Sequence, residues 1–279
     1  MIILLLSVNY TISAGRMEIV NMEKRIFLDT VVVRAGDFFL RSLFGIETKS
    51  QIEVGGGVFV RNKNTYFLSD RGYYYRVSGR VLGIGNITLS KENLLFSGDT
   101  IVYYPEGDTG WIKGHFFFGS DSLVVNGKKG FFTADSLVVK ERPITMIDST
   151  RILSDRLTYI YSDSTGIFNG DVEVFSGGVK GRCDRLVYLM KGSMGKAYST
   201  PVFFTDRDSV SGDSGYIYFD EDRALVFGGQ IVSRLKDGVN HVKGDRIHFY
   251  YTEGKIDSVV IEGNPEGEYL ANETKSRGP

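Results

Sequence analysis

The feature that most constrains the fold of this chain is an internal repeat of about 30 residues. In each copy a small residue is followed by Asp and then by a stretch in which apolar residues occupy alternate positions. The aspartates of the last four copies, 29, 29 and 32 residues apart, are Asp155, Asp184, Asp213 and Asp245. A second alternating segment lies between consecutive aspartates, as in residues 168–176 and 258–264. Since side chains alternate between the two faces of a β-strand, each period predicts two strands joined by short turns.

The composition favours an all-β fold of serial hairpins. The 279 residues include 34 Gly, 16 Tyr and 19 Phe but five Pro, which is typical of short strands separated by glycine turns. We expect roughly fifteen to eighteen strands and almost no helix. The 33 Lys and Arg nearly balance the 34 Asp and Glu, so no nucleic acid partner is expected. One cysteine, Cys183, and three histidines leave little basis for a disulfide framework or a metal centre.

The alternation places residues two and four positions after each repeat aspartate on one face of their strand. Aligned over all repeats, each of these two positions forms a column, and both columns are almost entirely apolar, with Gly215 as an interruption. The strands between the aspartates add further apolar residues to the same face, such as Val202 and Phe204. The candidate lining residues chosen from the columns are Tyr103, Leu157, Tyr159, Leu186, Tyr188, Ile217, Ile247 and Phe249. Such a face predicts an apolar interior, and hydrophobicity alone does not distinguish a filled core from an open groove.

The repeat aspartates have a structural interpretation. An Asp that follows Gly or Ser at the start of a strand can accept hydrogen bonds from nearby backbone N–H groups and tighten the turn. A calcium-binding ladder is the rival interpretation, but the dense Gly-Gly-x-Gly-x-Asp nonapeptides of such ladders are missing. We therefore expect no metal and no other cofactor.

Four segments are predicted along the chain. Residues 1–16 have an apolar run followed by small and polar residues but no basic start, which indicates a signal peptide or a truncated leader and hence export. Residues 17–142 and 143–270 form an N-terminal and a C-terminal block of β repeats, with residues 17–60 the least regular part. Residues 271–279 are polar and predict a disordered tail.

The repeats resemble the OstA family of organic solvent tolerance and lipopolysaccharide transport proteins, which includes LptA, LptC and the N-terminal domain of LptD. The resemblance rests on units of the form A/G-D-x-L-x-Y followed by G-x-V-x-V, and it is clearest in residues 154–188 and 243–269. It covers roughly residues 80–270.

The resemblance implies a V-shaped β-jellyroll whose two facing sheets hold lipid acyl chains in an apolar groove. It also implies a non-enzymatic protein of the periplasm or the outer membrane, which binds or transports lipopolysaccharide or a similar lipid during outer-membrane biogenesis. Its partners would be other OstA-fold envelope proteins, joined by pairing of sheet edges. The eight candidate residues would line the groove, and no catalytic residue is expected.

Two other functions remain open from the sequence. A structural spacer of the cell envelope would show the same apolar columns around a packed interior. A transmembrane β-barrel shares the alternation and short turns, but charges such as Glu173, Lys180 and Arg182 within its strands disfavour it. The GDSG sequence at residues 212–215 resembles the nucleophile motif of serine proteases, yet it is in register with the other repeat aspartates and predicts no enzyme.

Overall fold

The computed structural model describes residues 11–121 and 123–271, and these residues are almost entirely antiparallel β-strand. The predicted fold class, all-β with repeated antiparallel hairpins, is confirmed. The described residues contain 26 strands and three 3-10 turns, so the expected fifteen to eighteen strands is too low. Residues 1–10 of the expected leader and residues 272–279 of the expected tail lie outside the described residues.

The chain divides into two compact units, residues 1–141 and 142–279. The strands of the first unit are β1 Thr11–Ser13, β2 Arg16–Val20, β3 Lys24–Leu28, β4 Val31–Ala35, β5 Phe38–Ser42, β6 Phe44–Glu47, β7 Gln51–Asn62, β8 Thr65–Tyr75, β9 Arg80–Lys91, β10 Leu94–Tyr104, β11 Thr109–Gly119, β12 Val124–Phe132 and β13 Ser136–Lys140. Residues 17–60, which the sequence predicted as the least regular part, form most of β2, all of β3 to β6 and most of β7.

The strands of the second unit are β14 Ile144–Ile147, β15 Thr150–Leu153, β16 Arg156–Ile160, β17 Thr165–Ser176, β18 Val179–Leu189, β19 Met194–Tyr198, β20 Val202–Phe204, β21 Asp208–Ser211, β22 Ser214–Tyr218, β23 Arg223–Arg234, β24 Gly238–Thr252, β25 Lys255–Glu262 and β26 Glu266–Ala271. The 3-10 turns are Pro105–Gly107, Met190–Gly192 and Phe219–Glu221.

The two parts of each long strand belong to two different layers of the unit, which we call its walls. In the second unit the first part of β18, 180–182, pairs with β20, whereas its last part, 185–189, pairs with β19. Strands β17, β23 and β24 divide their pairing in the same way. We name the wall that contains β16, β19, β22 and β25 wall A, and the wall that contains β15, β20, β21 and β26 wall B. The division explains the strand count, because one long strand is opposed by two short ones.

The first unit has the same arrangement. The first part of β7 pairs with β6 in its wall A, and the last part pairs with β5 in its wall B. Strands β8, β9, β10 and β11 then run through both walls, with a register shift between the two parts of each pairing. Side chains of the two walls meet inside the unit, as shown by the rings of Phe96 in wall B and Phe132 in wall A, whose centroids are 5.8 Å apart.

A pair of residues, which we call a corner, recurs where long strands bend. A carboxylate on one strand packs against a glycine with positive φ that follows 15 residues later, as in Asp99 and Gly114 or Asp155 and Gly170. A Cβ atom on Gly114 would lie 2.2 Å from the Asp99 Oδ2, and the backbone N–H of His115 donates a 3.0 Å hydrogen bond to that same oxygen. The remaining corners are Asp70 with Gly85, Asp213 with Gly228 and, at a longer spacing, Asp245 with Gly263.

The corners explain why most of the aspartates repeat; Asp184 is the exception, because none of the described glycines packs against it. The sequence predicted aspartates at the start of strands that accept backbone hydrogen bonds. Asp155 and Asp213 do directly precede β16 and β22, and Asp99 accepts the His115 N–H. Asp99, Asp184 and Asp245, however, lie within β10, β18 and β24. The carboxylate fills the space left by a glycine at the bend, because a left-handed backbone conformation there is strained for residues with a Cβ atom. The aspartate thus fixes the bend between the two walls.

Candidate functional site

An apolar cavity of about 80 Å³ lies between the two walls of the first unit. Wall A contributes residues of β3 and β6 to β9, and wall B contributes residues of β1, β4, β5, β7 and β8. The apolar residues that line the cavity are Ile12, Phe27, Val31, Val33, Leu40, Ile46, Ile52, Val54, Val58, Val60, Phe67 and Val81. Gly45 and Gly72 also line it, and a Cβ atom on Gly45 would meet nothing closer than 3.7 Å. The missing side chain at Gly45 therefore leaves room inside the unit.

A charged cluster lies at one end of this cavity. Glu47 ends β6 and Arg76 follows β8, so both lie at the end of wall A that is farthest from the bends. The Arg76 guanidinium donates a hydrogen bond to Glu47 Oε1, and the Arg25 guanidinium lies 3.4 Å from Glu47 Oε2. The cluster has two positive charges and one negative charge, so one positive charge is left uncompensated within it.

Two polar atoms of the cluster are buried and lack a hydrogen-bond partner. They are the Nε of Arg76 and the Oε2 of Glu47, whose side chains are 28% and 13% exposed. A buried donor without an acceptor is costly, at about 1–3 kcal/mol, which favours a site that gains a partner when a ligand binds. The cavity thus joins an apolar interior to a cationic end.

The candidate lining residues chosen from the sequence all face the interior of their unit. Seven of them lie in the second unit and are 0–4% exposed: Leu157, Tyr159, Leu186, Tyr188, Ile217, Ile247 and Phe249. The eighth, Tyr103, lies in the first unit and donates a 2.7 Å hydrogen bond to Asp108. Burial, together with that hydrogen bond and the charge of Asp108, raises the pKa of Tyr103. Seven of the eight residues therefore belong to the interior of the second unit, and Tyr103 belongs to the first unit.

The interior of the second unit is close packed around these residues. The rings of Phe203 in wall B and Phe249 in wall A have centroids 5.3 Å apart, and the rings of Tyr188 and Phe219 stack at 4.7 Å. An apolar gap of about 10 Å³ remains beside Tyr251. Burial raises the pKa of Tyr188 and of Tyr251 to about 12, with nearby aspartates adding to both shifts. The tyrosines are therefore neutral members of a packed interior.

The free ends of the two walls touch in the second unit. The turn between β17 and β18 in wall B contains Gly177 and Gly178, and the turn between β24 and β25 in wall A contains Gly254. The backbone N–H of Gly254 donates a 2.8 Å hydrogen bond to the carbonyl oxygen of Gly177. A Cβ atom on Gly178 would lie 2.7 Å from the Gly254 nitrogen. We call this contact of Gly177, Gly178 and Gly254 the clasp, and it closes the interior on the side opposite the bends.

Sequence reasoning missed the cavity of the first unit and assigned two residues of β20 wrongly to the interior. The cavity lies where the sequence seemed least regular, although Val31, Val33 and Ala35 already alternate in the pattern of a half-buried strand. In β20 the buried residue is Phe203 rather than Val202 and Phe204. The positive φ values of Ser199 and Thr200, just before this strand, shift its alternation by one residue.

Metal binding, thiol reactivity and membrane-spanning helices find no support in the described residues. Within residues 11–121 and 123–271 no three His, Cys, Asp or Glu side chains are grouped so as to hold a metal ion. Burial raises the pKa of the Cys183 thiol to about 12, so this cysteine is protonated at neutral pH. None of the described segments forms a helix of the length and apolarity needed to cross a membrane.

Comparisons with known proteins find similar chains among solved structures. No protein-family profile and no curated protein matches the chain. Among solved structures the chain is similar to LptH from Pseudomonas aeruginosa, described as the LptA-homologous periplasmic component of the conserved lipopolysaccharide transport device. The similarity covers 35% of this chain and 77% of LptH, with 18% sequence identity and a TM-score of 0.33. The described residues of the chain themselves form an all-β protein with antiparallel strands.

Proposed function

We propose that this protein is a non-enzymatic carrier of lipopolysaccharide or a related anionic amphiphile in outer-membrane biogenesis. The observation that carries the proposal is the apolar cavity between the walls of the first unit, with Arg25, Glu47 and Arg76 at one end. Acyl chains would enter between the walls, and the anionic headgroup would remain at the charged end. The repeat sequence, which resembles the OstA family, supports the same function.

The cavity fits the apolar part of such a ligand. Its lining is almost entirely aliphatic and aromatic, and acyl chains gain affinity mainly from the apolar area that they bury. Its volume of about 80 Å³ is near half of the roughly 150 Å³ apolar cavity that admits benzene. The walls must therefore separate to take up a whole acyl chain. In the second unit the same separation would break the clasp and expose the seven candidate residues.

The charged end fits the polar part of the ligand. A phosphate or carboxylate near Arg76 would accept a hydrogen bond from the buried Nε that lacks a partner. Arginine binds phosphate and carboxylate through paired N–H groups, so it discriminates between an anionic and a neutral headgroup. Glu47 holds Arg76 in place when no ligand is bound.

The open edges of the walls are the surfaces to which the proposed partner proteins would bind. Strand β2 pairs with β3 and strand β26 pairs with β24, and neither has a second neighbour among the described residues. Residues of both strands are largely exposed. Open edges accept further strands, so other OstA-fold proteins of the periplasm or the outer membrane would add to them.

Lipid extraction tests the proposal, with the protein expressed in a Gram-negative envelope and purified without detergent. We expect mass spectrometry to find co-purified lipopolysaccharide or another anionic lipid. The Gly45→Val variant fills the cavity and should lose most of this lipid. The matched Gly192→Val variant, at a position with nothing within 4 Å, should retain it. Folded protein without lipid, or equal lipid in both variants, would contradict the proposal.

A spacer with a packed interior is the second candidate function. The observation that favours it is the nearly complete burial of Leu157, Leu186, Ile247 and Phe249 in the second unit. A spacer would purify as folded protein free of lipid, so the same extraction separates the two functions.

A further inference from the structure

The outer face of wall A in the first unit carries an apolar stripe that the proposed carrier function does not use. It crosses five strands, and each residue stands directly opposite the next in the antiparallel register. The stripe consists of Leu82, Val102, Trp111, Phe131 and Val138. Trp111 is 46% exposed, and its ring lies 4.6 Å from the ring of Phe131, centroid to centroid.

A row of lysines runs beside this stripe. Lys113 in β11 stands opposite Lys129 in β12, which stands opposite Lys140 in β13, and all three side chains are exposed. Glu141 accepts a hydrogen bond from Lys129 at the end of the row. Like charges directly opposite each other on neighbouring strands destabilise a sheet. The lysine row therefore works against folding stability, and an external anionic partner would offset this repulsion.

We propose that this face docks on the surface of a bilayer that contains anionic lipid. Phosphates of the headgroups would contact the lysine row, while Trp111 and its apolar neighbours would enter the boundary between headgroups and acyl chains. Tryptophan favours this boundary in membrane proteins, and basic residues close to an anionic leaflet add to binding. A soluble polyanion would satisfy the lysines but would leave the apolar stripe in water, so the pairing of the two rows favours a bilayer.

Vesicle binding tests this inference, because Trp111 is the single tryptophan of the chain and reports its own surroundings. The full-length protein is mixed with phosphatidylcholine vesicles, or with vesicles that also contain phosphatidylglycerol, and sedimented. We expect binding to the anionic vesicles, a shift of tryptophan emission to shorter wavelength, and quenching by brominated acyl chains. Replacing the three lysines with Gln should weaken binding about a hundredfold, whereas replacing them with Arg should preserve it.

The control replaces three other exposed lysines, Lys63, Lys91 and Lys255, with Gln and should leave binding unchanged. The cavity variant Gly45→Val should also bind vesicles normally, so failure of the carrier function and failure of this inference are distinguishable. The inference is overturned if the wild-type protein does not sediment with anionic vesicles or if the Gln variant binds as tightly as the wild type. Binding without any change in Trp111 emission would also overturn it, because the apolar stripe would then remain in water.

Discussion

The backbone N–H of Gly254 donates a hydrogen bond to the carbonyl oxygen of Gly177 and thereby joins the two walls of the second unit at their free ends. The bends join the same walls at the other side. The clasp thus closes the interior of this unit on the side opposite the bends, and its glycines lie in turns rather than in paired strands.

The Gly178→Val variant should open the clasp. Its side chain would collide with the Gly254 backbone, and φ at Gly178 is +82°, which is strained for valine. We expect faster hydrogen exchange at the Gly254 amide and binding of an apolar fluorescent dye. The Gly192→Val variant serves as control, and unchanged protection of the Gly254 amide would show that the clasp does not hold the walls together.

Photocrosslinking distinguishes a groove from a packed core at the candidate lining residues. A photoreactive side chain is placed at Tyr159 or Tyr188, with Asp163 in the adjoining turn as control, and the native envelope is irradiated. If the walls separate to carry lipid, we expect lipid adducts at both tyrosines and none at Asp163. Adducts with protein alone at the tyrosines would favour the spacer.

Arg76→Gln should weaken the binding of anionic amphiphiles. The substitution removes a cationic donor at the end of the cavity and should raise the Kd about tenfold, in line with the 1.5–3 kcal/mol of a charged hydrogen bond. Glu47→Gln removes the competing carboxylate and should maintain or tighten binding.

Fluorescent lipids of equal chain length but neutral headgroup provide the control for these two variants. Their affinity should not change. An equal loss for neutral and anionic lipids would mean that Arg76 acts through the structure of the cavity rather than through its charge.

The corner formed by Asp99 and Gly114 should behave as one energetic unit. Gly114→Ala places a Cβ at a φ of +86° and against the Asp99 carboxylate, so the free energy of unfolding should fall by about 2 kcal/mol. In the double variant with Asp99→Ala the 2.2 Å collision with the carboxylate is removed and only the 2.8 Å approach to the Cβ of residue 99 remains. The cost should therefore be less than the sum of the single changes. Urea unfolding measures all three, with Gly107→Ala as control. Strict additivity would show that the two residues are not coupled.

Stability should decline at alkaline pH because of Tyr251. Its pKa is raised to about 12 in the folded protein, whereas an unfolded tyrosine ionises near pH 10. Between about pH 10 and 12 the unfolded state therefore releases its proton first, and the free energy of unfolding falls as pH rises. The Tyr251→Phe variant should show a flatter decline in urea unfolding at these pH values. Equal slopes for the two proteins would argue against the shift.

The alternation of apolar residues predicted the fold class and the interior positions of residues such as Leu157 and Phe249. It did not predict the bends, because a corner forms between strands and its glycine lies 15 residues from its aspartate. The cavity also escaped prediction, since it depends on a side chain that is missing at Gly45 and on the distance between walls. No motif in the sequence marks Arg76 or Glu47, because their pairing depends on which strand ends lie side by side.

The corners also influence how a chain of this kind can gain or lose repeats during evolution. Each of the five corners is formed by two residues that lie 15 or 18 positions apart in the chain. A gene that gains or loses one period of about 30 residues therefore gains or loses a complete pair of bent strands, with its own share of interior. Duplication can extend a chain of this kind in fixed steps, while every existing residue keeps its neighbours.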